Sequence, residues 1–232
     1  MFQARTKERK DLITMASKYN DIFGDTETLG PLDSPIIYNG YMHCRETDEE
    51  VNALINEYFF DLEKFATAYY ANKRPQYLDD LWDSKIFAEN FWDFRKKVLA
   101  MLNPNKKNRF FAHNARFDVM ALNNTCRALS NGKVKYFFPY EVEVCDTLKM
   151  ARQVVAKMPT YIKYCQENGY MTKHKTPRVR LTAEILYRFI TKDEEFNEEH
   201  RGKEDVLIEE KIYDYIKRQH KKCNPALYAK KT

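Results

Sequence analysis

"DIFGDTETLGP", residues 21–31, sets two carboxylates, Asp25 and Glu27, one residue apart between Gly24 and Gly30. If the segment is a strand, both side chains share a face, with Cα atoms about 6.8 Å apart. Carboxylates so placed can converge on two divalent cations about 3.5–4 Å apart, the geometry of two-metal phosphoryl chemistry. Oxygen ligands of this kind suit hard Mg²⁺. Buried without a cation, the two charges would repel each other. An Asp-x-Glu pair by itself is a common loop pattern, so its meaning depends on what the rest of the chain supplies.

Outward from that stretch, "SPIIYNGYM" (34–42) reads as a strand paired with the first through the Gly30-Pro31 turn. "TDEE" (47–50) fits a capping box, and Val51, Leu54, Ile55, Tyr58, Leu62 and Phe65 predict a helix that Pro75 breaks. Phe87, Phe91, Phe94, Val98 and Met101 predict a second helix, ending before Asn103-Pro104. "RFFAHNARFDVMAL" (109–122) reads as a short strand, a polar loop and the start of a helix. "KVKYFFPYEVEV" (133–144) is β-prone on both sides of Pro139. "DTLKMARQVVAKM" (146–158) reads as a helix capped by Asp146, and "EDVLIEEKIYDYIKRQ" (204–219) as the last helix. Strands followed by alternating helices and strands predict a single α/β domain over 18–220, with an extension at 1–17 and a basic tail at 221–232.

Composition narrows the class. Apolar residues make up 44% and charged residues 31%, ordinary for a globular protein, and no apolar run approaches the roughly 20 residues of a membrane span. Without a continuous apolar stretch near the N-terminus a secretory signal is not expected, so the expectation is a cytoplasmic protein with no membrane partner. The five cysteines are widely spaced with no C-x-x-C, which predicts reduced packing residues and no zinc ribbon. Net charge is +5, and from Lys217 to the end there is no acid. That tail reads as a solubilising, frayed end or as a contact for a phosphate backbone.

Two further polar segments match the acidic pair. "HNARFD" (113–118) would aim Asp118 from a first helical turn back toward the central strand. "HRGKED" (200–205) sets His200 before the last helix and Asp205 in its first turn. Each has an ordinary structural explanation alone, since acids complement helix N-termini and loop His or Asn satisfies backbone groups. Together, "DTETLG", "HNARFD" and "HRGKED" resemble the three motifs of the DnaQ-like 3′→5′ exonucleases of the DEDD superfamily. "CDTLKMAR" (145–152) is similar to the family's D-T-L-x-x-A-R segment, and the likeness runs from about residue 20 to 218. His200 lies five residues before Asp205, while Arg201 stands where the tyrosine branch has its Tyr, so the resemblance is to the histidine branch.

That resemblance implies an RNase H-like exonuclease fold, α/β with a central mixed five-stranded sheet flanked by helices. It implies that Asp25, Glu27, Asp118 and Asp205 hold two divalent cations, Mg²⁺ or Mn²⁺, and that His200 takes a proton from the attacking water. Thr28, Leu29, Asn114 and Phe117 would line the pocket of the terminal nucleotide. Leu29 replaces the family's common Thr, and Gly202 and Val206 stand where Ala is frequent. The implied partner is the 3′ end of single-stranded nucleic acid, DNA favoured over RNA, with release of nucleoside 5′-monophosphates in proofreading or repair. The nearest rival is an exoribonuclease resembling oligoribonuclease or RNase T; the 2′-hydroxyl separates the two, and no residue in the sequence is assigned to reading it. A binding module without catalysis is the weaker rival, because the four carboxylates and the histidine are all present. A polymerase partner would have to act in trans.

Overall fold

The computed structural model describes residues 17–197 and 201–228. Its spine is β1 (Tyr19–Leu29), the strand that carries the acidic pair. Ile22 and Phe23 are fully buried on opposite faces of it, so two adjacent apolar side chains serve two separate cores. β1 pairs antiparallel with β2 (Ile36–Cys44), which pairs antiparallel with β3 (Glu49–Ile55). On its other edge β1 runs parallel to β5 (Lys107–Ala112), and β5 to β6 (Glu143–Asp146). β4 (Phe87–Glu89) closes the far edge beside β3, giving the order β4-β3-β2-β1-β5-β6. This α/β arrangement of a mixed central sheet flanked by helices is consistent with the RNase H-like topology.

Local chemistry explains the two hairpins. Gly30 has φ +86°, a left-handed conformation that costs glycine little, and Ser34 N–H closes the following turn on Pro31 O at 2.9 Å. Asp48 turns the next hairpin at φ 61°, its N–H donating to Cys44 O at 2.9 Å. The β1–β5 register is set by Arg109, whose guanidinium donates to both Asp21 carboxylate oxygens at 2.6 Å and lies over the Tyr19 ring.

One face of the sheet is covered by α1 (Asn56–Phe59), α2 (Leu62–Phe65), α3 (Arg74–Trp82), α4 (Phe91–Ala100) and α5 (Ala115–Leu129), around Phe94, Phe110 and Phe137. The other is covered by α6 (Thr147–Gln153), α7 (Pro159–Glu167), α8 (Ala183–Thr191) and α9 (Gly202–Arg218). Here Phe23 stacks on Phe111 with ring centroids 4.8 Å apart, and Tyr213 of α9 meets both edge-on.

Several sequence expectations need correction. The helix read from "TDEE" onward is instead β3 followed by the four-residue α1 and α2. Its apolar residues fit helical spacing because Ala53, Leu54 and Ile55 are all buried, and a strand covered on both faces loses its alternation. Pro75 does not end a helix but lies in the first turn of α3, where its missing N–H costs nothing. Phe87 is outside the second helix, on β4 and 64% exposed; Asn90 caps α4 by accepting Asp93 N–H at 2.9 Å. That extra strand makes the sheet six-stranded where five were expected. Of the β-prone stretch around Pro139 only Glu143–Asp146 is a strand, because Phe137 and Phe138 turn inward to the aromatic core.

The start of the basic tail is docked, not frayed. Asp146 N–H donates to Pro225 O at 3.0 Å, Leu227 N–H donates to Val144 O at 2.7 Å, and Lys149 Nζ caps Ala226 O. Backbone groups of β6 that would otherwise be an open edge are thereby paired. Four of the five free cysteines are buried, as expected of packing residues. No helix among the described residues is long and apolar enough to cross a membrane. The N-terminal extension lies, apart from Ser17, outside the described residues.

Candidate metal centre

Alternation along β1 sends Asp25 and Glu27 to the face that α9 covers, the same side as Phe23. The register against β2 slips by one residue between Glu27 and Thr28, so the acidic pair precedes a bulge at the strand end. α9 reaches this spot because its first residue is glycine: a Cβ on Gly202 would lie 2.8 Å from Tyr41 Cβ and 3.4 Å from Asn39 Oδ1. One turn of helix then delivers Asp205. Carboxylate oxygens of Asp25, Glu27 and Asp205 lie within 4.8 Å of one another, and the trio could hold a divalent cation.

Asp118 arrives from the opposite layer and stands outside that trio. Asn114, at φ 74° and ψ 44°, turns the chain from β5 into α5, and its N–H donates to Asp146 Oδ1 at 3.2 Å. Thr26, on the reverse face of β1 from Asp25 and Glu27, donates its hydroxyl to Asp118 Oδ1 at 2.9 Å. The threonine between the two acids therefore tethers the carboxylate of the second motif to the strand end.

Glu209 is a fifth acid that the sequence reading did not single out. It lies one helical turn beyond Asp205, is 3% exposed, and accepts His113 N–H on Oε1 at 2.7 Å, while Oε2 has no hydrogen-bond partner. Spacing of four along α9 was the available signal, but glutamate on a helix is too ordinary to mark itself. His113 is fixed from its other atoms: Nε2–H donates to Leu181 O at 2.8 Å, and Nδ1 accepts from the Thr147 hydroxyl at 3.0 Å. Burial lowers its pKa, which keeps the ring neutral in that tautomer.

The electrostatics fit a cation. Burial pushes the Asp25 carboxyl up to about 6. Burial raises Asp118 well above its usual range, with the charge of Asp25 adding to it; Glu209 is raised by burial and then by Asp25 and Asp118. Among the described residues no lysine or arginine is in ion-pair range of Asp25, Asp118 or Glu209. With a buried, unpartnered Oε2 beside them, this donor set matches a hard divalent ion. A pH dependence follows. A carboxyl whose pKa is higher folded than unfolded holds more protons in the native state between those values, so stability falls as pH rises through that interval. In chelator, the melting temperature should decline from about pH 4 to 6 through Asp25, with Asp118 and Glu209 adding to the trend, and excess Mg²⁺ should flatten the decline. A melting temperature flat over that interval in chelator would contradict the buried acid cluster.

The remaining predicted residues are placed as follows. Asn114 is exposed and Phe117 partly buried, both at the start of α5; Thr28 is partly exposed at the end of β1. Leu29 is packed in the core on the α4–α5 side and only 4% exposed. His200 lies outside the described residues. No protein-family model matches the chain, and no curated protein is significantly similar to it.

Proposed function

We infer that the chain is a metal-dependent 3′→5′ exonuclease that removes nucleoside 5′-monophosphates from single-stranded nucleic acid, DNA before RNA. The observation that carries this reading is the meeting of carboxylates from separate motifs: Asp25 and Glu27 from β1 with Asp205 from α9, and Asp118 tied alongside through Thr26. Asp25, Glu27, Asp118 and Asp205 would hold two divalent cations, Mg²⁺ or Mn²⁺. Such cations, when bound, would supply the positive charge that favours the attacking water and the leaving 3′ oxygen. His200, five residues before Asp205 in sequence, accepts the proton of that water, a task suited to an ordinary imidazole near neutral pH. The water oxygen bonds to phosphorus as the bond to the 3′ oxygen breaks, and the new 3′ hydroxyl takes its proton from solvent. Thr28, Asn114 and Phe117 contact the terminal nucleotide; Leu29, next to Thr28 in sequence, is only 4% exposed and belongs to the core.

Matched 5′-labelled DNA and RNA strands incubated with Mg²⁺, Mn²⁺ or chelator test this reading. The expected result is a ladder shortening from the 3′ end of DNA, present with metal and absent in chelator. A ladder on RNA alone would reassign the substrate, and intact strands of both kinds with metal would refute the activity.

A further inference from the structure

Next to His113 lies a cationic cleft to which the cleavage step itself assigns no role. The segment "YMTKHKTPRVRLT" (170–182) carries Lys173, Lys175, Arg178 and Arg180 and no acid. Its backbone is ordered as a small hairpin: Met171 bridges Val179, Thr172 N–H donates to Arg178 O at 2.8 Å, and Arg180 N–H donates to Tyr170 O at 2.9 Å. Tyr161 Oη anchors Arg180 O at 2.6 Å, and His113 Nε2–H anchors the next carbonyl, Leu181 O. Between the hairpin, α6 and α7 is a cleft of about 910 Å³, lined by Leu148, Arg152, Met171, Arg178, Arg180 and Leu181 among others.

Three features of this cleft bear on its use. Arg152, Lys173, Lys175, Arg178 and Arg180 are all exposed, and none is ion-paired among the described residues. Arg45, Lys203 and Lys97, by contrast, are paired with Asp214, Glu50 and Glu89. The cleft also reaches the acids through His113, which donates Nε2–H to Leu181 O in the cleft lining and whose backbone N–H is held by Glu209. Finally, an apolar floor under cationic rims suits a chain with anionic phosphates and flat bases.

We propose that this cleft is the track for the phosphodiester backbone of a single strand, holding the nucleotides 5′ of the one being removed. The inference rests on the exonuclease reading and adds the direction in which the strand leaves the acids: past His113, between α6 and the 171–180 hairpin. Unpaired cations concentrated there attract polyanion, and counterion release makes such binding steeply salt-dependent.

The test is fluorescence anisotropy with a 5′-labelled 12-nucleotide oligothymidylate whose 3′-terminal linkage is a phosphorothioate, in Mg²⁺, across a salt series. Three proteins are compared: the wild type, Arg152→Ala/Arg178→Ala/Arg180→Ala, and Lys217→Ala/Lys221→Ala/Lys222→Ala. The second variant removes equal charge at the C-terminal end of α9 and just beyond it, from lysines that do not line the cleft. The arginine variant should bind about tenfold or more weakly at low salt, with a salt slope shallower by about 2, at about 0.7 per lost contact. Because these side chains are exposed, its melting temperature should match the wild type. An arginine variant with wild-type affinity and slope, while the wild type shortens an unmodified strand, would overturn the track and leave the exonuclease standing. A larger loss in the lysine variant would move the track to the tail and overturn it equally. A wild type that neither binds nor shortens the strand would remove the exonuclease reading itself.

Discussion

Asp25→Asn should yield a folded protein that no longer shortens DNA and, in chelator at neutral pH, melts at a higher temperature than the wild type. Asparagine keeps the shape of the side chain and its acceptor for Thr26 N–H, so β1 is undisturbed. What it removes is a charge that burial already disfavours and that acts on Asp118 and Glu209. Relief of about 1 kcal/mol would raise the melting temperature by about 2–4 °C in a domain of this size. Changes to groups that merely support metal ligands cost about 10–100-fold, so loss of a ligand should exceed about 100-fold in rate. Mg²⁺ should raise the melting temperature of the wild type much more than that of the variant. A variant that cleaves at the wild-type rate, or that is less stable than the wild type in chelator, would remove Asp25 from the centre of a metal site.

Gly202→Ala should damage both the fold and the site, by one methyl group that touches no substrate. The added Cβ would meet Tyr41 Cβ at 2.8 Å and Tyr41 N at 3.6 Å, both close to the β2 backbone, so no side-chain rotation relieves the contact. α9 must lift from β2, at a cost of about 1–3 kcal/mol, the usual range for an overpacked site. Asp205 is carried on the same turn and moves with it. Displacements approaching 1 Å cost catalysis about 100-fold, so the rate should fall more than the stability suggests. Paired calorimetry and strand-shortening assays on this variant check both effects. Normal stability with a normal rate would mean that the helix has room to spare and that glycine is not what sets the distance to Asp205. Alanine is frequent at this place in the family that the motifs resemble; here the side chain of Tyr41 occupies the space it would need.

Much of the architecture was legible because it is encoded over short distances. The strand with the acidic pair, its hairpin partner, the strand–loop–helix at 109–122, the Asp146 cap and the last helix all depend on residues within a few positions of one another. Asp146 caps α6 from two and three residues away, accepting Leu148 and Lys149 N–H at 2.8 and 3.2 Å. The β3 segment was misread for the complementary reason. Its apolar spacing suits a helix, and only pairing with β2 on one side and β4 on the other makes it a strand. The β4 strand, the inward turn of Phe137 and the docking of residues 225–227 on β6 likewise depend on partners far away in the chain.

For the candidate site, the sequence by itself determined which acids to suspect and that Asp25 and Glu27 share a face, because a strand's period of two leaves no other arrangement. Tertiary structure alone decided that Asp205 joins those two, that Asp118 stands apart behind Thr26, and that Glu209 is buried among them. It also set the hairpin arginines, which have no ion pair among the described residues, next to the Leu181 carbonyl that His113 holds. The physical reason is one of range. Side-chain direction along an element follows from backbone periodicity, whereas the distance between acids on different elements follows from how closely those elements pack. At this site that closeness depends on the missing methyl of Gly202.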